Sequence, residues 1–594
     1  MGGAAAYGGQ GAAMTGGGMT GGAPTGGYGG TPTGATGGVA GTGGTGNVGA
    51  TGGVTGGTGG GPIGGTGGAG ATGGVTGGAG GVTGGAGGVT GGTGGGPIGG
   101  TGGAGATGGV TGGTGGDGAT GGVTGGTGGA GATGGVDGGT GGDGATGGTG
   151  GSQPVRPELV TSAQGAYWQE GTLAAATGNA DITVNEGQTF QTWDGWGGTF
   201  NEAGWEVLLL LSDAERARAI ELLFGPDGCN FTYGRIPIGA SDYGLDRYTL
   251  CDSPWCDATM AGFSIDRDQN HLIPYIHAAL AVKPDIRFWA SPWTPPPWMK
   301  DNNAYDRGNM KGDATTLEAH AHYLALFVQA YAGENINIEA IHPQNEPGYP
   351  QDYPSCSWSS QVYVDFVGNY LGPRFAQDIP NTEIWLGTMS NPNSNAIVQA
   401  VMSNGTASQY ISGISLQWGM DDNAQQIINS YHLPVMQSEH QCGNYPWEGA
   451  DQNHAPNDHA YGVESWQLIK KWLGYGVNSY LAWNMVLDTN GVNLDTQRRW
   501  AQNALLVVDR NSRTLIETPA FYVFRHFAQF IDPGAQRIGV SGGDALAFRN
   551  PDGSIATVIY NSGAARQMTV GVGGTVLQFQ APGNGWATVF WDGA

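Results

Sequence analysis

From residue 193 onward the chain repeats one alternation, a run of six to eight largely apolar residues followed by a longer stretch with apolar positions at helical spacing. The runs are 193–200, 231–238, 285–291, 338–345, 383–388, 413–418, 434–439 and 479–485. Between them lie stretches such as 205–223, where Leu208, Leu211, Ile220 and Leu223 recur on one face, and 359–371 and 459–475. Continuous apolar runs suit strands buried on both faces, and a strand followed by a helix returns the chain parallel to its start. Eight such units predict an α/β fold, a closed (β/α)8 TIM barrel over 193–531.

The period changes after the barrel. Segments 544–549, 554–560, 567–572, 574–580 and 585–591 are short, β-rich and separated by turn signals such as Pro551-Asp552-Gly553. They predict an appended antiparallel β-sandwich from 532–594, to which 178–192 adds a strand. Residues 1–152 show neither period. They are almost entirely Gly, Thr, Ala and Val and contain no Lys, Arg, Glu, His, Cys or Trp. Such a segment has too little to bury to offset the entropy of ordering its glycines, so it is expected to be a disordered linker. The string beginning at Val54 begins again at Val89. Its repeats lack the large apolar residues that a solenoid would stack, so the expectation is a duplicated tether spanning roughly 60–75 Å.

Charge narrows the partners. The formal net charge of −25 falls mostly outside the tract, which contributes only Asp117, Asp137 and Asp143. An acidic surface argues against nucleic acid and anionic membranes and suits neutral sugars. There is no run of about 18 apolar residues, hence no predicted transmembrane segment. Of the five cysteines, Cys251 and Cys256 could form one local disulfide if the protein is exported, or remain thiols like Cys229, Cys356 and Cys442. The opening Met1-Gly2-Gly3-Ala4 does not read as a signal peptide. An extracellular or cell-surface location therefore implies a truncated start or an unconventional export. His271, His277, His342, His432 and His440 show no ligand spacing of the H-E-x-x-H kind, and no metal or organic cofactor is expected.

In a TIM barrel the chemistry sits at the carboxyl ends of the strands. Those ends carry Arg235 with Asp242 beyond it, Trp293, Asn345-Glu346, Gln417-Trp418, Glu439 and Trp483-Asn484. Singly, an Asn-Glu-Pro triplet is more often a turn boundary and a tryptophan more often core. Two glutamates on the fourth and seventh strands, however, face each other across one mouth. Retaining glycoside hydrolysis needs such a pair, one carboxyl protonating the leaving oxygen and the other attacking the anomeric carbon. Glu346 is the candidate acid/base and Glu439 the candidate nucleophile, kept ionised by Arg235 or a nearby aromatic hydroxyl. The tryptophans supply flat apolar walls for a sugar ring.

These motifs in combination carry a resemblance. Gly195-Trp196-Gly197-Gly198, Gly234-Arg235-Ile236-Pro237 with Asp242, Ala290-Ser291-Pro292-Trp293-Thr294-Pro295, Gln344-Asn345-Glu346-Pro347, Ser438-Glu439 and Trp483-Asn484 resemble glycoside hydrolase family 30. That family includes lysosomal glucosylceramidases and microbial endo-β-1,6-glucanases, and the resemblance runs from about 181 to 594. It implies a barrel with a side β-sandwich, Glu346 as acid/base, Glu439 as nucleophile, and Arg235, Asp242, Trp293, Asn345 and Trp483 around the first sugar. One departure stands at strand six, where glucosylceramidases resemble His-Trp-Tyr and this chain has Gln417-Trp418-Gly419. Contacts to the nucleophile and to the leaving-group side are expected to differ there, with the loops around Trp358 and Trp447 shaping that side. The expected activity is glucosylceramidase-like hydrolysis of β-glucosidic bonds by double displacement. The alternatives are an endo-β-1,6-glucanase, xylanase or β-1,6-galactanase, and, from another class, a non-catalytic carbohydrate-binding surface protein.

Overall fold

The computed structural model describes residues 156–442, 457–494 and 501–592. The expected linker 1–152 and Trp447 lie outside the described residues. The chain enters through three short strands, β1 (Leu159–Ala163), β2 (Ala166–Gly171) and β3 (Ala174–Ala176), followed by the long β4 (Ile182–Thr192). The barrel strands come next: β5 (Gly195–Thr199), β6 (Tyr233–Ile238), β7 (Arg287–Pro292), β8 (Ile338–Ile341), β9 (Glu383–Met389), β10 (Ile411–Gln417), β11 (Val435–Glu439) and β12 (Ser479–Asn484). They close in the order β5 to β12 with every pairing parallel.

Every apolar run named from the sequence holds a barrel strand, and the differences lie at the ends. β8 stops at Ile341, short of residue 345. Pro343 cannot donate to a ladder. Beyond it the chain leaves the ladder and bonds to the ends of the two neighbouring strands, Asn345 N–H to Pro292 O of β7 at 2.8 Å and Glu346 N–H to Thr388 O of β9 at 3.0 Å. The helical stretch 205–223 is two helices, Glu202–Leu208 and Asp213–Phe224. Ser212 caps the second by accepting the Glu215 N–H, which ends the first at the intervening turn. The stretch 459–475 is one helix, capped by Asp458 and stopped by Gly476 in the left-handed conformation.

Inside the barrel, Tyr233, Trp289, Ala340, Trp385, Met436 and Leu481 form one buried cluster that plugs the lumen. The closing strand β5 must run close to its neighbours. A Cβ on Gly197 would lie 2.2 Å from the carbonyl oxygen of Tyr233, and Gly195 combines φ +146° with 2.1 Å to Thr232 Oγ1. Only glycine fits there.

After the barrel come a three-stranded patch, β13 (Val486–Asp488), β14 (Leu506–Asp509) and β15 (Thr514–Glu517), and then β16 (Gln536–Ser541), β17 (Asp544–Arg549), β18 (Ile555–Asn561), β19 (Arg566–Val572), β20 (Thr575–Ala581) and β21 (Gly585–Trp591). With β1 to β4 the last six form a ten-stranded sheet, antiparallel except for β4 against β19. The expected sandwich strands are all present, but the sequence reading missed β1, β2, β3 and β16. β2 and β3 are largely exposed, so they lack the alternating apolar signature. Period-two alternation divides the faces. Ala545, Ala547, Ile555 and Ile559 share a core with Met568, Val570, Leu577 and Phe579 as the sheet folds over itself. Leu546, Phe548, Ala556 and Val558 turn the other way, into the barrel core. Cys251 and Cys256 are disulfide-bonded, while Cys229, Cys356 and Cys442 are buried thiols. Among the described residues no helix is long and apolar enough to cross a membrane.

Candidate active site

The carboxyl ends of β6, β7, β8, β10, β11 and β12 bring most of the predicted residues into one cluster. Arg235 is its centre. It points into the barrel mouth with no exposure, its guanidinium 4.4 Å from the Trp293 ring centre, 5.1 Å from Trp289 and 5.2 Å from Trp483. A buried cation needs a partner. Its Nη1 donates to Glu439 Oε2 at 2.5 Å and its Nη2 to Asn345 Oδ1 at 2.6 Å.

Gln417 binds the same two residues from the opposite side. Its Nε2 donates to Asn345 Oδ1 at 2.9 Å, to Glu439 Oε2 at 3.0 Å and to Thr388 Oγ1 at 3.1 Å. The Thr388 hydroxyl donates to Asn345 Oδ1 at 2.8 Å. Three donors thus converge on the Asn345 oxygen, which orients its amide so that Nδ2 is the donor on the cleft side. Trp418 completes the cradle of Glu439, Nε1 to Oε1 at 3.4 Å.

Glu346 is built differently. Its backbone is left-handed, φ +50°, which costs a non-glycine residue about 1–2 kcal/mol. The turn is held by Glu346 N–H to Thr388 O and by Tyr349 N–H to Glu346 O at 2.9 Å. Strain held in place by neighbours at a cleft is characteristic of a residue whose direction matters. Its Oε2 accepts from the Tyr353 hydroxyl at 3.0 Å. Gln344, two residues earlier, is fixed by Trp358 Nε1, which donates to its Oε1 at 3.1 Å.

The two glutamates feel each other. Burial first, then the charges of Glu439 and Asp242, push Glu346 well above the ordinary carboxylate range. Burial also raises Glu439, but Arg235 and the Trp418 N–H pull it back. Glu346 therefore holds its proton more tightly than Glu439. Asp242 is a third buried carboxyl, raised to about 8 by burial and by Glu439.

Asp242, Trp293, Asn345, Glu346, Trp418 and Glu439 line one cleft together with Tyr349, Gln351, Tyr353, Gln441, Cys442 and Gln502. Trp483 stacks on Trp293 with ring centres 5.3 Å apart, backing the wall. Asn484 reaches the cleft at one remove, donating to Gln502 Oε1 at 2.8 Å and accepting from Asn201 at 3.2 Å. Gln417 likewise acts on its neighbours, being wholly buried. Trp358 itself is buried and packs on Tyr363 and Phe366, so it supports the Gln344 turn, while the loop that it closes brings Tyr349, Gln351 and Tyr353 to the cleft. Sequence reasoning missed Tyr353, Thr388 and Gln502. Thr388 sits at the end of a strand read correctly and was open to the same strand-end rule. Tyr353 and Gln502 lie in segments without period, where no sequence signal marks them.

Comparison with known proteins agrees with this architecture. The model of the glycosyl hydrolase family 30 TIM-barrel domain matches residues 193–531, and that of the family's beta sandwich domain matches 534–589. Lysosomal acid glucosylceramidase of Mus musculus is 27% identical over 406 residues, covering 64% of this chain and 77% of its own length. Endo-1,6-beta-D-glucanase neg1 of Aspergillus fumigatus is 26% identical over 409 residues, covering 63% and 79%. The solved structure of the endo-beta1,6-glucanase BT3312 superposes with a TM-score of 0.65 at 25% identity, covering 73% of this chain and 99% of that one. This chain is a glycoside hydrolase and belongs to glycosyl hydrolase family 30.

Proposed function

We propose that the enzyme hydrolyses β-glucosidic bonds with retention, Glu346 serving as acid/base and Glu439 as nucleophile. The observation that carries this reading is the asymmetry of the two buried carboxyls. Glu439 is held by Arg235, Gln417 and Trp418, a set of donors that favours its ionised form. Glu346 faces the like charge of Glu439 and keeps its proton, as the group that protonates the leaving oxygen must. In the first step Glu439 attacks the anomeric carbon, the glycosidic C–O bond breaks, and the Glu346 proton passes to the departing oxygen. In the second, Glu346 takes a proton from water, whose oxygen displaces Glu439 from the sugar. Asn345 Nδ2 and Asp242 are placed to hold sugar hydroxyls, and Trp293 backed by Trp483 gives the ring an apolar face. The acidic chain and the Cys251–Cys256 disulfide support a neutral sugar substrate and an exported, surface-held enzyme, with the Gly/Thr tract as its tether.

Aryl β-glucosides of graded leaving group test the assignment. Glu439→Ala should abolish turnover and regain part of it with azide, which enters the vacated space as an external nucleophile. Glu346→Ala should spare good leaving groups far more than poor ones. Product of inverted anomeric configuration at early time would overturn the mechanism.

A further inference from the structure

We propose that Trp255 is an outer platform of the substrate cleft, stacking a sugar unit of a β-linked polysaccharide on the leaving-group side of the scissile bond. The proposal rests on Glu346 being the acid. Trp255 lies in the loop 239–271 between β6 and the helix Leu272–Val282, on the carboxyl face of the barrel, and the start of that loop delivers Asp242 to the cleft. The indole is 73% exposed, whereas most tryptophans of the described chain are buried. An exposed indole on a loose loop would mean little, but this one is rigidly mounted. The disulfide from the buried Cys251 to Cys256 closes a short loop around it. Thr249 N–H and Oγ1 are both bonded to Asp252, at 2.7 and 2.6 Å, and Leu250 N–H donates to the Tyr323 hydroxyl at 3.1 Å. A ligand that stacks here has little loop entropy to remove.

The loop's neighbours set the side of the cleft. The Tyr305 hydroxyl is bonded to Asp252. Ser355 N–H donates to Tyr305 O at 3.1 Å, and Arg247 donates to the carbonyl of Asp352. Asp352 and Ser355 flank Tyr353, which holds Glu346. The loops after β6, β7 and β8 are thus stitched into one wall on the side of Glu346. The acid protonates the leaving oxygen, so the departing part of the substrate runs along this wall. An indole face matches the apolar C–H face of a pyranose. The exposed Asp257, two residues along the chain, can accept hydroxyl hydrogens and repels an anionic lipid surface, which favours a sugar chain over a membrane-held glycolipid.

The test compares wild type, Trp255→Ala and Trp255→Phe on an aryl β-glucoside, on β-linked gluco-oligosaccharides of increasing length, and on glucosylceramide in neutral vesicles. For Trp255→Ala, aryl glucoside kcat/KM should be unchanged, which also certifies folding. Longer oligosaccharides should lose about tenfold in kcat/KM, mostly through KM, and phenylalanine should restore most of it. Equal rates of Trp255→Ala and wild type at every chain length would overturn the platform while leaving the glycosidase reading intact. So would a loss confined to vesicle-held glucosylceramide, or wild-type turnover of the aryl glucoside with no oligosaccharide cleaved. A wild type inert on the aryl glucoside, on the oligosaccharides and on the vesicles alike would remove the β-glucosidase reading, and the platform with it.

Discussion

The side-chain amide of Gln417 ties Glu439 to Asn345, the two residues that would meet the anomeric carbon and the adjacent hydroxyl. A glutamine cannot titrate near neutrality, so it donates at any pH at which the enzyme is folded. Gln417→Met removes the donor at nearly constant volume. It should lower kcat by about ten- to a hundredfold with little change in KM, because misplaced reacting groups weaken the transition state first. Gln417→Glu instead places a second carboxylate beside Glu439. The nucleophile then ionises less readily, and the acid limb of the kcat/KM profile should move to higher pH. An unmoved acid limb in that variant would separate Gln417 from the nucleophile. Asp242 supports a prediction about stability. Its carboxyl rises from 3.8 to about 8 on folding. Its stabilising contribution is therefore full below pH about 4 and is lost as pH rises through about 8. Asp242→Asn, which does not titrate, should match wild type in thermal unfolding near pH 4 and gain on it progressively toward pH 8. A tenfold change in proton affinity is worth about 1.4 kcal/mol, so the gain reads as a few degrees in Tm.

At the scale of the element, the strands were legible because burial on both faces leaves continuous apolar runs, as in the fully buried β6, β11 and β12. Where a segment's partners lie elsewhere in the chain, local pattern failed. The 205–223 stretch keeps its apolar face across Ser212, yet the cap breaks it in two. β8 ends early because the residues that follow it bond to β7 and β9 in their own turn. The glycines of β5 were readable as a motif, but the reason for them is spatial. Gly197→Ala forces a methyl onto the Tyr233 carbonyl, a backbone atom that cannot swing away. It should destabilise the protein by about 2 kcal/mol or more, seen as a lower denaturant midpoint at unchanged slope. A midpoint within error of wild type would mean that the barrel closes less tightly than described.

At the scale of the molecule, barrel and sheet share one core. Trp586 of β21 packs on His459 at 4.9 Å and on Tyr560 at 6.0 Å, and Trp193 meets Phe548 at 6.0 Å. Trp466 and Lys470, on the helix His459–Tyr475, both bind Asp544 of β17. His526 bridges Ser162 of β1 and Thr588 of β21 at 2.9 and 2.8 Å. The sheet thus covers barrel helices that would otherwise expose large aromatics. A chain ending at residue 531 should fail to fold, and the whole protein should lose its barrel and sheet signals in one transition, checked by calorimetry against near-UV circular dichroism. Two separated transitions would show that the two parts fold independently.

The amino-acid sequence determined the eight strands, their parallel order, the later change to antiparallel β, and the strand ends on which the two glutamates sit. Each follows from hydrophobic period and connection length, which act along the chain. Tertiary structure decided what no period carries. It brought Thr388 and Gln417 onto Asn345, set Tyr353 against Glu346, and ranked the proton affinities of two like residues by what surrounds each. Those outcomes depend on distances between residues far apart in sequence, and such distances exist only once the barrel has closed.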